Sequence, residues 1–305
     1  FGISNANYTG DHFGEVIWGS DLAANTNIRD RYYFSDARKN DLSIFAKASF
    51  NINEKLSGYL DAQGRFVSYQ TKGITSDIVA IDVDESFNFF NPKLGLTYTI
   101  NEDNNLYASF AVASREPNRN DFENGVSTAE KLFDYELGWR FKSENIKVNT
   151  NFYYMDYDNQ LVLTGAIDDV GQYVRATSGS SYRLGLEIDA EIKISNQFTI
   201  RPNASFSENK NRDFFAPING SLQDLGNTDI TFSPNVVIGN IFTYQPLDNL
   251  QISFLSKYVG KQLLSNLNSA VSDADVLDSF FINDLNFVYE IKPKTIFKSI
   301  TLTAL

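Results

Sequence analysis

The chain has 305 residues, 42 % of them hydrophobic, one histidine, no cysteine and a formal net charge of −12. The length suits one large folded unit, the acidic balance excludes nucleic acid as a partner, and the missing cysteine excludes disulfides, thiol catalysis and Cys-type zinc sites. His12 has no ligand-type spacing around it and reads as a solvated loop residue, so neither a His-ligated metal site nor a Ser-His-Asp triad is supported.

In chain order, twelve segments alternate apolar and polar side chains at period 2, the mark of a two-faced strand. The first three carry Leu42, Ile44, Ala46, Ala48 and Phe50, then Leu56, Leu60, Ala62 and Phe66, then Phe90, Leu94, Leu96, Tyr98 and Ile100. Leu106 to Val112, Phe133 to Phe141 and Ile146 to Tyr154 follow. The longest clean run is 184–194, where Leu184, Leu186, Ile188, Ala190, Ile192 and Ile194 alternate with Gly185, Glu187, Asp189, Glu191 and Lys193. The last five are Phe198 to Phe206, Ile230 to Tyr244, Leu250 to Tyr258, Phe281 to Ile291 and Ile300 to Ala304. No segment carries a 3.6-residue stripe, so little helix is expected.

Connections alternate in kind. Tight turns fall at 53–55, 101–105, 143–145, 195–197, 246–249 and 292–297; long polar loops are expected at 70–85, 116–129, 161–172, 212–226 and 262–276. A propeller blade holds four short strands per repeat and a sandwich keeps its strands near 5–6 residues, so neither fits. Long strands with short turns at one end and long loops at the other describe an antiparallel transmembrane β-barrel, all-β in class. Lipid offers no hydrogen-bond partner, and a closed barrel of two-faced strands satisfies every backbone group. Phe50, Tyr98, Trp139, Phe141, Phe198, Tyr244 and Tyr289 lie near the tight turns and are expected to form an interfacial aromatic girdle. The segment "SITLTAL" ends with its alternation still running, which makes 1–305 read as one part of a single barrel domain, about 12 strands of a larger number.

The block "NLYASFAVASREPNRNDF" at 105–122 resembles the TonB-dependent receptors of the Bacteroidetes outer membrane, and "MDYDNQLVLTGAIDDVGQYVRATSGSSYRLGLEIDAEIKI" at 155–194 looks like a second block of that family. The resemblance implies a barrel of about 22 strands whose lumen holds an N-terminal plug domain. The plug, the early strands and the closing strand would then lie outside this sequence. It also implies a multi-pass protein of the Gram-negative outer membrane. Its partners would be lipid and lipopolysaccharide, its own plug, the TonB energy-transducing complex and, in some cases, a surface lipoprotein. The expected function is energy-coupled import of a bulky scarce nutrient, first an iron chelate such as a ferric siderophore. Haem, cobalamin or a glycan are alternatives, as is a barrel that does not import: a porin or a surface-assembly scaffold. No enzyme, cofactor or metal site is expected, although a soluble β-sheet hydrolase is a third class to exclude.

Arg115, Glu116 and Arg119, with Asp121, cluster where Pro117 ends a strand, and the arginines suit bidentate contacts to carboxylate or phosphate. The plainer reading pairs them with Glu116, Asp121 or the plug. Tyr173, Arg175, Phe214 and Phe215 lie in or beside long loops, suited to stacking on an aromatic ligand or to ordinary loop packing. Arg183, Glu187, Asp189 and Glu191 are expected on the lumen or plug-facing side, as wall rather than as active site. The acidic segments 81–86, 168–171 and 273–278 match no calcium-loop pattern and read as solvated loops.

Overall fold

The computed structural model describes residues 1–20, 25–167, 173–218, 221–266, 276–293 and 296–304; the side chains of 164–167, 173–174, 216–218 and 221–222 lie outside the description. In chain order the elements are β1 (Gly2–Glu15), β2 (Arg31–Asn51), β3 (Leu56–Ile74), β4 (Ala80–Asn101), β5 (Asn104–Arg115), α1 (Arg119–Glu123), β6 (Glu130–Lys142) and β7 (Ile146–Asp158). They continue with β8 (Leu161–Ile167), β9 (Tyr173–Thr177), β10 (Ser180–Lys193), β11 (Phe198–Asn211), β12 (Phe215–Ile218), β13 (Ser221–Asp224) and β14 (Thr228–Asp229). The last six are β15 (Val236–Leu247), β16 (Leu250–Val259), β17 (Gln262–Leu263), β18 (Val276–Leu277), β19 (Phe280–Ile291) and β20 (Ile300–Ala304).

One antiparallel sheet runs in the order β1-β2-β3-β4-β5-β6-β7-β10-β11-β15-β16-β19-β20, with β14 pairing the end of β11. Residues directly opposite in a ladder share a face. The register sets Ala48 against Leu60 and Leu60 against Leu94, and further along sets Leu137 against Phe152, Phe152 against Leu186 and Leu186 against Phe206. The apolar rows therefore merge into one continuous face, on which Phe90, Leu137 and Phe281 stay 66 %, 57 % and 61 % exposed. An apolar patch of that extent has no place in water. Nine to eleven residues per strand, at about 3.3 Å each and tilted about 40°, span about 25 Å, the height of the lipid-facing band of a transmembrane barrel. The expected girdle lies at the short-turn rim, where Trp139 stacks on Phe141 and donates from Nε1 to Asn104 Oδ1 at 3.0 Å.

Four expectations need correction. A thirteenth strand, β1, lies before the first one expected, and His12 sits within it, half-buried and opposite Ser35 rather than in a solvated loop. The stretch 70–85 is no loop: β3 and β4 run through it to a turn at 75–79, with Lys72 bridged to Asp82 at 2.6 Å and Gln70 donating to Asp84 at 3.0 Å on the outer face. The acidic stretch 81–86 is accordingly part of β4. The run 230–244 does not start as a strand. Ile230 is buried, Phe232 takes φ 53°, and β15 begins at Val236, after Pro234, which has no N–H to give a ladder. The expected loops at 161–172 and 212–226 fold in part as the hairpins β8–β9 and β12–β13, each a small sheet of its own.

Candidate functional site

β2, β3 and β4 have 21, 19 and 22 residues, twice what the apolar band requires. Their outer ends rise beyond the band as a stiff wall, and the chain after β5 folds back onto the inner side of that wall. Pro117 ends the β5 ladder, and Asn118 caps α1: its side chain accepts from the Asp121 N–H while Asp121 accepts from the Asn118 N–H. The resulting strap, 116–126, lies across β3 and β2. Phe122 stacks on Tyr69 with ring centres 5.3 Å apart, over Ala37.

Polar contacts fix the strap at three points. Glu116 accepts from Lys39 Nζ at 2.6 Å and from Arg65 Nη1 and Nη2 at 2.7 and 2.8 Å, while Arg65 also grips Asp41. Arg119 donates to Thr71 Oγ1 at 3.0 Å and Ser35 Oγ at 2.8 Å, and pairs with Glu123 at 2.8 Å. Asp121 receives Arg175 Nε at 2.9 Å, which ties the strap to the β8–β9 hairpin. Between the strap and β1 lies a cavity of about 500 Å³ lined by His12, Tyr33, Ser76, Asn118, Arg119 and Glu123. That volume is within the range of small-ligand pockets.

Burial opposes ionisation of Glu116, but the hydrogen bonds from Arg65 and Lys39 outweigh it and hold the carboxyl below the usual glutamate range. With its folded value below the unfolded one, the contact stabilises the strap fully above about pH 4.3 and is lost as pH falls through the lower folded value. Hydrogen-exchange protection of the Val126 amide, which donates to Asp121 O at 2.8 Å, should therefore hold from pH 8 to 5 and drop only in stronger acid. Loss of protection at pH 6 would contradict this assignment.

Among the residues singled out from sequence, Glu116, Arg119 and Arg175 meet on the strap. Arg115 stays at its edge, paired with Glu130 at 3.2 Å. Tyr173 opens β9, its side chain outside the described residues. Phe214 and Phe215 belong to the separate β12–β13 hairpin, Phe215 exposed at its start. Arg183, Glu187, Asp189 and Glu191 share the inner face of β10: Arg183 donates to Asn209 at 3.1 Å and Ser233 at 3.0 Å, Asp189 accepts from Asn149 at 2.9 Å, and Glu191 pairs with Lys147 and Arg201 at 3.0 and 2.9 Å. Segment 168–171 and residues 273–275 fall outside the described residues, and among the described residues no group of three metal-ligating side chains occurs. Lys39, Asp41, Arg65, Ser35 and Thr71 were not singled out from sequence. They are ordinary members of the polar rows of β2 and β3, and only the fold-back of the strap sets them apart.

The two-faced sheet, its apolar band and its alternating turns and loops define a transmembrane β-barrel of the outer-membrane type. The chain belongs to the family described as TonB dependent receptor-like, beta-barrel, which matches residues 1–304. It is 21 % identical over 224 residues to the catecholate siderophore receptor Fiu of Escherichia coli K12, covering 71 % of this chain and 29 % of Fiu. The crystal structure of Fiu in its closed form matches 99 % of this chain and 46 % of its own, with TM-score 0.68 and 15 % identity. The siderophore receptor PiuA of Acinetobacter baumannii gives TM-score 0.67 at 15 % identity over 99 % of this chain and 47 % of its own. The copper transporter OprC gives 0.66 at 14 % identity, over 94 % and 46 %. The chain thus spans less than half the length of these relatives, and at such identities the structures show a shared fold. The family is one of receptors, not enzymes.

Proposed function

We propose that this chain is barrel wall of a TonB-dependent outer-membrane importer whose cargo is an anionic iron chelate, a ferric siderophore first among them. The whole protein would sit in the Gram-negative outer membrane among lipopolysaccharide, with its own plug in the lumen and the energy-transducing complex below it. Some members would also take a surface lipoprotein as partner. The blocks at 105–122 and 155–194 support a Bacteroidetes-type receptor. One observation carries the cargo reading: Lys39, Arg65, Arg119 and Arg175 converge on the strap at the inner side of the wall, with Arg119 lining the cavity. Guanidinium groups suit planar bidentate contact with carboxylate or catecholate oxygens. The similarity to Fiu and PiuA, named as siderophore receptors, agrees with it.

The test is binding of ferric tricatecholate, ferric citrate, haem, cobalamin and an oligosaccharide to the full-length protein in detergent, with uptake of radioactive iron by cells with and without the gene. Binding of at least one iron chelate is expected, together with uptake that stops when the proton gradient is collapsed. A protein that binds none, or whose loss leaves iron uptake unchanged, refutes the proposal; passive flux without a gradient would favour the porin reading.

A further inference from the structure

Two carboxylates of one short strap enter cation sites that other elements build. Glu116, whose side chain is 5 % exposed, reaches Arg65 and Lys39 across 51 and 77 positions of sequence. Asp121, 3 % exposed, takes the guanidinium of Arg175, 54 positions away. Neither contact is needed to hold the wall. Arg65 already has Asp41 on the facing strand, and β2 and β3 pair continuously from Ser35–Gly73 to Asn51–Ser57.

We infer that Glu116 and Asp121 are tethered stand-ins for the anionic groups of an incoming ligand, so that the strap closes the cation sites until a multivalent anion displaces it. The idea rests on the reading of the inner face as the ligand side. A carboxylate on a short tether competes at an effective concentration of the order of millimolar. A monovalent anion in solution meets both occupants singly and loses. An anion with several charged oxygens on one frame can take Lys39 and Arg65, which already share Glu116 Oε1, together and displace Glu116 from both, which makes the strap a filter for multivalent anions. Arg119 holds the strap to the wall only through the neutral hydroxyls of Thr71 and Ser35, contacts that lifting of the strap breaks without leaving a wall charge unpaired.

The test uses a thiol under the strap. Ala37 is buried beneath Phe122, and the chain has no cysteine, so Ala37→Cys in the full-length protein, with any cysteine elsewhere replaced by serine, reports lifting of the strap by its labelling rate. At constant ionic strength, citrate and pyrophosphate should raise that rate about tenfold with saturation, and acetate should not. In Glu116→Gln the half-saturating citrate should fall about tenfold, or labelling should already be fast without it. In Arg65→Met, and in Lys39→Gln as a milder variant, the citrate response should vanish. A wild-type rate unmoved by both multivalent anions overturns the inference, as does an equal citrate response in Arg65→Met and Lys39→Gln. None of these anions carries iron, so the outcome stands apart from whether an iron chelate binds.

Discussion

Arginine in place of Ile188 should destabilise the folded barrel by about 2–4 kcal/mol, whereas arginine in place of its neighbour Glu187 should cost under about 1 kcal/mol. Ile188 sits midway along the apolar row of β10, opposite Ala204 on β11 and Thr150 on β7, at the depth where a charge has neither water nor headgroup within reach. Glu187 is one residue away and on the other face, and a one-residue step in a strand reverses every side chain. Reversible unfolding by urea in lipid vesicles measures the pair. A larger cost at Glu187 than at Ile188 would mean that the sheet faces are assigned the wrong way round.

Gly73→Ala should do comparable harm at the outer end of the wall. Gly73 has φ 142°, a region closed to side chains, and an added Cβ would lie 2.3 Å from the Phe34 carbonyl oxygen and 2.6 Å from the Ser35 Cα. These are backbone atoms of the facing strand, which no rotamer change can move aside. Strain of this kind costs about 1–3 kcal/mol before any loss of pairing. Ser35 is fully buried and accepts from Arg119, so splaying β2 from β3 here also removes a foothold of the strap. The expected result is a lower unfolding midpoint together with loss of amide protection at Val126. A variant that lost stability but kept that protection would separate the turn from the strap.

The barrel wall was legible because lipid imposes one simple rule on each strand, and twelve strands obey it. β1 escaped notice because neither row is consistently apolar: Ser4, Ala6, Tyr8 and Gly10 stand on one side and Asn5, Asn7, Thr9 and Asp11 on the other, with Ile3 and Phe13 at the ends of the polar row. The outer ends of β3 and β4 were taken for loop for a related reason. Above the band the outer face meets water instead of lipid, so Gln70, Lys72, Asp82 and Asp84 stand where an apolar row would have marked the strands. Composition pointed to Arg115, Glu116 and Arg119, and Asn118 with Asp121 three residues on is a readable cap. Their partners were not readable, since Lys39 and Arg65 look like any other charges on a polar row until the chain doubles back.

The wall formed by β2, β3 and β4 gives the mouth two unequal sides. One side is a continuous ladder with a five-residue turn at 75–79; beyond the strap stand the hairpins β8–β9 and β12–β13, each a two-stranded sheet of its own. Exchanges at exposed hairpin positions such as Phe215 should therefore disturb the sheet less than exchanges in the ladder, whereas the buried Leu161, Val162 and Thr228 beside those hairpins should resist substitution.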